Sequence, residues 1–75
     1  MSVEEVVANV LKVDVSEVTD LSSKDTLAEW DSMAHMSLVM SLEERFKVSL
    51  SIADAMEMTS VYHIKRILKE YGVAA

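Results

Sequence analysis

The sequence predicts an all-α fold, a bundle of three main helices plus a short helix that is third in chain order. The 75 residues contain no proline and a single glycine, so the chain has little of the turn chemistry that an all-β fold needs. Apolar residues also recur at helical spacing in separate segments. With 51% hydrophobic residues the chain can form a packed core, and we expect residues 1–75 to be a single domain.

The first helix is predicted over about residues 2–13. Ser2 and Glu5 have the spacing of a capping box, in which each side chain binds a backbone N–H of the other residue. The apolar residues that follow lie on one stripe of a helix: Val3, Val6, Val7, Val10 and Leu11. The periodicity then fades over residues 14–31, which predicts a long loop of the kind that is often functional. Four apolar residues are expected to anchor this loop to the core: Val15, Val18, Leu21 and Leu27.

The second helix is predicted to open at Asp31 and Ser32 and to end near Phe46. Its core face holds Leu38, Val39, Leu42 and Phe46. A neighbouring, partly exposed stripe holds Met33, Met36 and Met40, flanked by Glu43 and Glu44. Adaptable methionines beside carboxylates suit a surface that must fit several partners, so these five residues are the predicted docking surface. Ordinary core filling is the alternative for Met33 and Met40, and Met36 is expected nearer the core edge.

The last third of the chain is predicted to hold a short helix and a long one. Val48, Leu50 and Ile52 alternate like an extended segment, and we expect a loop here. Ser51 and Asp54 suggest a cap for a short helical turn through Met56. The final helix begins at Thr59 or Ser60 and stops at Gly72. Its apolar face consists of Val61, Ile64, Ile67, Leu68 and Tyr71, and its basic residues Lys65, Arg66 and Lys69 lie toward the C-terminal end.

Composition also limits the functions to consider. Thirteen acidic and seven basic residues give a net charge of −6, which disfavours nucleic acid and favours partner proteins with basic surfaces. No apolar run approaches the ~20 residues of a membrane span, and we expect a cytoplasmic monomer. Without cysteine, and with only His35 and His63, the chain offers neither a metal site nor a catalytic constellation. His35 falls within the core-facing arc of the second helix and should be packed and hydrogen-bonded.

Two stretches resemble acyl carrier proteins: Asp31-Ser32-Met33 at the head of the second helix and LEERF at residues 42–46. In that family a Gly-x-Asp-Ser-Leu motif precedes helix two, and its serine receives 4′-phosphopantetheine from coenzyme A. By position that serine matches Ser32, with Asp31 beside it. The resemblance implies a non-catalytic carrier with an acyl-carrier-like fold, which holds acyl groups as thioesters. The implied partners are a phosphopantetheinyl transferase, an acyl-loading ligase and an acyl transferase or synthase.

The motif departs from the usual family pattern at several positions. Glu29 stands where the glycine would be, and Met33 replaces the leucine. The stretch from Glu29 to His35 resembles specialised stand-alone carriers, in which Trp-Asp-Ser-Leu is followed by a histidine. Ala34 and Ser37 lie where the fatty-acid carrier usually has acidic residues, which should weaken recognition by general fatty-acid enzymes. The resemblance therefore implies a specialised pathway rather than bulk fatty-acid synthesis.

Several alternatives remain open at the level of sequence. An aminoacyl carrier, of the D-alanyl or peptidyl type, shares the fold and the serine. A carrier-like interaction domain would leave Ser32 unmodified, as a plain helix cap. Trp30 either covers the loop against the core or flanks the arm. Because a small core is only modestly stable, we also expect that an acyl chain can enter the bundle by displacing Met36 or Met58.

Overall fold

The computed structural model describes residues 2–73, and within that range it confirms an all-α bundle with a short third helix. The helices are α1 (Val3–Leu11), α2 (Ser32–Phe46), α3 (Ile52–Glu57) and α4 (Val61–Glu70). A 3₁₀ turn, Val15–Glu17, interrupts the long loop between α1 and α2. The described residues contain no β-strand, only an isolated antiparallel bridge between Ser23 and Ser60. None of their helices has the length and apolar character to cross a bilayer.

Side-chain caps set where the helices begin. The hydroxyl of Ser2 accepts the N–H of Glu5 at 3.2 Å, and the Glu5 carboxylate accepts the N–H of Ser2 at 3.0 Å, so the predicted capping box is confirmed. The other three helices are capped by Asp31, Ser51 and Ser60, in chain order. The first two helices end where Lys12 and Lys47 adopt left-handed backbone, with φ of 59° and 54°. Helix α1 therefore stops at Leu11, two residues before its predicted end.

The core lies between α1, α2 and α4, with Val18 and Trp30 added from the long loop and Met58 from the connection before α4. Its fully buried members from the helices are mostly the residues whose spacing predicted them: Val3, Val7, Leu38, Leu42, Val61, Ile64, Ile67 and Leu68. Helix α3 contributes no buried residue. Residues 47–51 form a loop before the short helix, as expected, and Ile52, the first residue of α3, is 81% exposed.

Two of the four predicted loop anchors are wrong. Val18 is buried and Leu27 is half-buried, as expected, but Val15 is 48% exposed and Leu21 is 84% exposed. The reason is local hydrogen bonding. Val15 begins the 3₁₀ turn, which leaves no residue of its own buried, and the N–H of Leu21 is held by the Thr19 hydroxyl in a tight turn.

A buried serine anchors the loop where an apolar residue was expected. The hydroxyl of Ser22 accepts the N–H of Thr19 at 2.9 Å, and Ser22 is only 6% exposed. The carbonyl of Ser22 then accepts the N–H of Val61 at 3.0 Å, and that of Asp20 accepts the N–H of Tyr62 at 3.1 Å. These backbone bonds fix the loop to the first turn of α4.

Lys65 adds a polar link on the same side of the bundle. Its ammonium lies 2.6 Å from the Glu4 carboxylate and 2.7 Å from that of Asp20. The hydrogen bonds that Lys65 donates to Asp20 and, with a smaller effect, to Glu4 raise the pKa of Lys65 above its ordinary value of 10.5. One side chain of α4 therefore joins α1 and the long loop.

Candidate functional site

Asp31 and Ser32 form the start of the longest helix. Asp31 has extended backbone, and its carboxylate accepts the N–H of Ala34 at 2.8 Å. The carbonyl of Asp31 accepts the N–H of His35, also at 2.8 Å. Ser32 is the first helical residue and is exposed. The cap therefore holds the Ser32 hydroxyl at the N-terminal end of α2, facing solvent.

The surroundings of Ser32 suit a phosphate. Within residues 2–73 its hydroxyl makes no hydrogen bond, and the backbone N–H groups of Ser32 and Met33 have no acceptor either. The first turn of α2 carries no acidic side chain inside the helix, although the cap residue Asp31 lies next to it. Free N–H groups and the positive end of a 15-residue helix would together stabilise a phosphate ester at this position.

Trp30 and His35 lie on the inner side of this helix start. Trp30 is 2% exposed, so it covers the loop against the core, which settles a choice that the sequence left open. Its indole N–H donates to Nδ1 of His35 at 3.0 Å, and Nε2 of His35 lies 2.8 Å from the carbonyl of Ala55. Because Nδ1 accepts, Nε2 must carry the ring proton and donate to Ala55. The prediction of a packed, hydrogen-bonded His35 is confirmed.

These contacts also limit the chemistry available to Ser32. His35 is the nearest histidine along the chain, three residues away, and both its ring nitrogens are engaged with Trp30 and Ala55. A general base must reach the hydroxyl it deprotonates, directly or through one water. His35 is therefore not placed to activate Ser32. No group of three or more His, Cys, Asp or Glu residues in the described range is arranged to hold a metal ion.

The methionines of α2 form an exposed stripe. Met33, Met36 and Met40 are 81%, 68% and 66% exposed, so the core-filling alternative for Met33 and Met40 is wrong. Met36 was expected nearer the core edge, and this too is wrong. It follows His35 directly, and the 100° step per residue turns it away from the core when His35 points inward. Met58, the other side chain that an entering acyl chain was expected to displace, directly follows α3 and is fully buried.

Glu43 and Glu44 differ in what they contact. Glu44 is exposed, whereas Glu43 is half-buried and its carboxylate accepts the N–H of Leu50 at 2.9 Å. Glu43 therefore fastens the turn between α2 and α3, and four of the five predicted docking residues are left with free, exposed side chains. Helix α3 is bonded to α2 through the carbonyl of Ala55. It adds two exposed apolar side chains to the surface, Ile52 and Met56, which the sequence pattern did not predict there.

A surface basin of about 860 Å³ lies between the long loop and α4. Its walls include Asp20, Tyr62, Arg66 and Lys69, and none of its lining residues comes from α2. The basin is wide open, and Lys65 on its wall is already neutralised by two carboxylates. Its position separates it from the start of α2 and therefore from Ser32.

Comparisons with known proteins agree with this geometry. Residues 2–68 match the family described as the phosphopantetheine attachment site. An acyl carrier protein of Exiguobacterium sp. is 40% identical over 62 residues, which cover 81% of this chain and 77% of that protein. The solution NMR structure of a holo acyl carrier protein from Geobacter metallireducens superposes with a TM-score of 0.79. That match has 22% identity and covers 91% of this chain and 78% of the other, so it shows the fold.

Proposed function

We propose, because this chain belongs to the phosphopantetheine attachment family of acyl carrier proteins, that Ser32 is the residue to which its arm is attached. The prosthetic group of the family is 4′-phosphopantetheine, which coenzyme A supplies. The observation that carries the proposal is the exposed Ser32 hydroxyl, free of hydrogen bonds within residues 2–73, at the head of a 15-residue helix. Residues 1–75 would then act as one carrier domain.

The roles of the chain's own residues follow from the contacts at the helix start. Asp31 fixes the first turn of α2 through its bond to Ala34, and the N–H groups of Ser32 and Met33, which have no acceptor within residues 2–73, would be available to a phosphate on Ser32 Oγ. When attached, the arm supplies a thiol that holds acyl groups as thioesters. The ring nitrogens of His35 are engaged, so His35 is not placed to take the Ser32 proton, and we expect the modifying enzyme to supply the base. The chain therefore acts as a substrate and not as a catalyst.

Partner enzymes would dock on the exposed face of α2. Met33, Met36 and Met40 supply adaptable apolar contacts, and Glu44 supplies a free carboxylate. We expect a phosphopantetheinyl transferase, an acyl-loading ligase and an acyl transferase or synthase to bind there. The net charge of −6 favours basic surfaces on these enzymes. The protein would work as a monomer.

The composition of this face supports a specialised pathway over bulk fatty-acid synthesis. The first turn of α2 has no acidic side chain, and the Glu43 carboxylate is occupied by the N–H of Leu50. A partner that recognises rows of acids on α2 would find one free carboxylate, at Glu44, among three exposed methionines. Dedicated enzymes with apolar contact surfaces fit this face better.

The attachment site can be tested by intact mass. The protein, Ser32→Ala and Ser37→Ala are each incubated with coenzyme A and a broad-specificity phosphopantetheinyl transferase. Ser37 is a matched control because it is an exposed serine of the same helix. We expect the wild type and Ser37→Ala to gain the mass of one phosphopantetheine, and Ser32→Ala to gain none.

Two results would overturn the proposal. Addition to Ser32→Ala would place the arm on another residue. No addition to the folded wild type, with several transferases, would favour an unmodified interaction domain that uses the same α2 face. If modification occurs, loading trials with fatty acids and with amino acids separate an acyl carrier from an aminoacyl carrier.

A further inference from the structure

Helix α3 is held to the rest of the bundle mainly by polar side chains. None of its six residues is buried, and its apolar side chains Ile52 and Met56 face solvent. The Tyr71 hydroxyl accepts the N–H of Ser51 and donates to Asp54, and His35 donates to Ala55. Elements with few buried apolar contacts open at low free energy, so these hydrogen bonds contribute to holding α3 in place, beside the buried Met58 that follows it.

His35 is the connection that also reaches the region of Ser32. Its Nδ1 accepts from the indole of Trp30, which precedes Ser32 by two residues, and its backbone N–H donates to the carbonyl of Asp31. On the opposite side of the ring, Nε2 donates to Ala55 in α3. One imidazole therefore bonds both to the segment that leads into Ser32 and to helix α3.

The pair of bonds requires a specific form of the ring. Trp30 offers only a donor and the Ala55 carbonyl only an acceptor, so the neutral ring with its proton on Nε2 satisfies both. Trp30 is almost fully buried, and a buried indole N–H without an acceptor is costly. The Trp30–His35 bond therefore stabilises the position of the Trp30 side chain, and with it the segment that leads into Ser32.

We propose that His35 is a positioning residue for the modification of Ser32, which fixes the Trp30–Asp31 segment through Nδ1 and seats α3 through Nε2. This role rests on the proposed function. It acts through neighbouring groups, because His35 itself faces away from the Ser32 hydroxyl and into the bundle. A transferase that must recognise both the head of α2 and the adjoining α3 surface would then meet them in one fixed arrangement.

Two substitutions separate the two bonds. In His35→Asn the side-chain amide reaches about as far as Nδ1, so it can accept from Trp30 but cannot reach Ala55. In His35→Gln the amide reaches about as far as Nε2, so it can donate to Ala55 while the bond to Trp30 is lost. His35→Phe keeps the ring and removes both bonds. Ile67→Val, in the core of α4 and 1% exposed, is the control for loss of stability without loss of these bonds.

Three measurements are made on each variant under conditions where it is fully folded. The first is the kcat and KM of phosphopantetheine transfer from coenzyme A to Ser32. The second is the NMR signal of the Trp30 indole N–H and its hydrogen exchange, which report the bond to Nδ1. The third is amide exchange in α3, which reports the bond to Ala55.

We expect a separation of effects. His35→Phe should lower kcat/KM for transfer by about two- to tenfold, the factor that one hydrogen bond typically contributes. Compared with His35→Phe, His35→Asn should restore most of the transfer rate and the indole signal. Amide exchange in α3 should remain fast. His35→Gln should return amide exchange in α3 toward the wild-type rate. Its rate of transfer should remain low, and its Trp30 indole N–H should exchange fast. Ile67→Val should match the wild type in all three measurements.

Other outcomes contradict the role of His35. Wild-type transfer kinetics in every His35 variant would show that Ser32 needs no positioning by this ring. Equal behaviour of the Asn and Gln variants, or the same losses in Ile67→Val, would reduce His35 to a general contribution to stability. A wild-type chain that accepts no arm would instead contradict the proposed function, and this role with it.

Discussion

Glu5 shows how a single exposed side chain makes the stability of the fold depend on pH. Its carboxylate accepts hydrogen bonds from the backbone N–H and the hydroxyl of Ser2, and both bonds lower the pKa of Glu5 below its ordinary value of 4.5. A carboxyl group whose pKa is lower in the folded state stabilises that state above its unfolded pKa. The contribution is lost as the pH falls through the lowered, folded value.

The corresponding test compares the wild type with Glu5→Gln, which keeps the capping geometry but cannot titrate. We expect the wild type to be the more stable protein above pH 4.5, and its advantage to shrink as the pH is lowered below that ordinary value and through the lower pKa of the folded state. Urea unfolding at a series of pH values measures the difference. Taking the difference between the two free energies of unfolding cancels the contributions of the other acidic groups. One of these is Asp14, whose pKa is lowered by hydrogen bonds from Ser16 in the same way. A difference that does not change with pH would contradict this account.

Single residues also mark where prediction from sequence succeeds and fails. The inward direction of His35 follows from its place on a helix with a fixed 100° step. The burial of Trp30 does not follow, because it lies in a loop without periodicity and its partner is set by the tertiary fold. Glu43 and Glu44 look equivalent in sequence, yet only Glu43 reaches Leu50, seven residues later. Side chains that bond to a distant part of the chain leave no local pattern.

At the scale of elements, the helices were predictable because each start is marked by a side chain. Ser2, Asp31, Ser51 and Ser60 all cap as local rules require. The long loop was harder, since its apolar residues compete with Ser and Thr side chains that hydrogen-bond the backbone. That competition buried Ser22 and left Leu21 in solvent. Apolar character alone therefore predicted two of the four anchors correctly, Val18 and Leu27.

The attachment of α3 by polar groups gives a prediction for Tyr71. Tyr71→Phe removes the hydroxyl that accepts the N–H of Ser51 and donates to Asp54 at 2.6 Å. We expect faster amide exchange in α3, because α3 has no buried residue to hold it in place. Hydrogen exchange followed by NMR measures the effect. The loss in overall stability should be about 1 kcal/mol.

Tyr62 provides the matched control for this experiment. It is a tyrosine of α4 that is 57% exposed, and its hydroxyl has no hydrogen bond within residues 2–73. Tyr62→Phe should therefore leave both stability and exchange in α3 at their wild-type values. Equal exchange in α3 for the two variants would mean that the Tyr71 hydroxyl does not hold this helix.

At the scale of the whole molecule, a small core supports a strongly acidic surface. A bundle of this size rarely gains more than about 3–5 kcal/mol from one core. The net charge of −6 works against compaction through mutual repulsion among the acidic groups. Because the stability is small, modest electrostatic contributions change it measurably. The balance between repulsion and pairing is therefore open to test with salt.

Lys65 is the residue on which that balance can be tested. Salt screens the repulsion among the acidic groups, which stabilises the fold, and it also weakens the bonds from Lys65 to Glu4 and Asp20. Repulsion should dominate, because ion pairs as exposed as these contribute only about 0–1 kcal/mol each. We therefore expect the thermal midpoint of the wild type to rise with added NaCl.

Lys65→Met should respond more strongly to salt than the wild type. The substitution makes the net charge one unit more negative and leaves two neighbouring carboxylates, Glu4 and Asp20, without the ammonium that holds them together. At low salt the variant should be less stable than the wild type by about 1 kcal/mol. The gap should narrow as NaCl screens the carboxylate pair. Thermal unfolding of both proteins across a salt series measures it, and a gap that widens with salt would mean that Lys65 acts through its aliphatic packing instead of its charge.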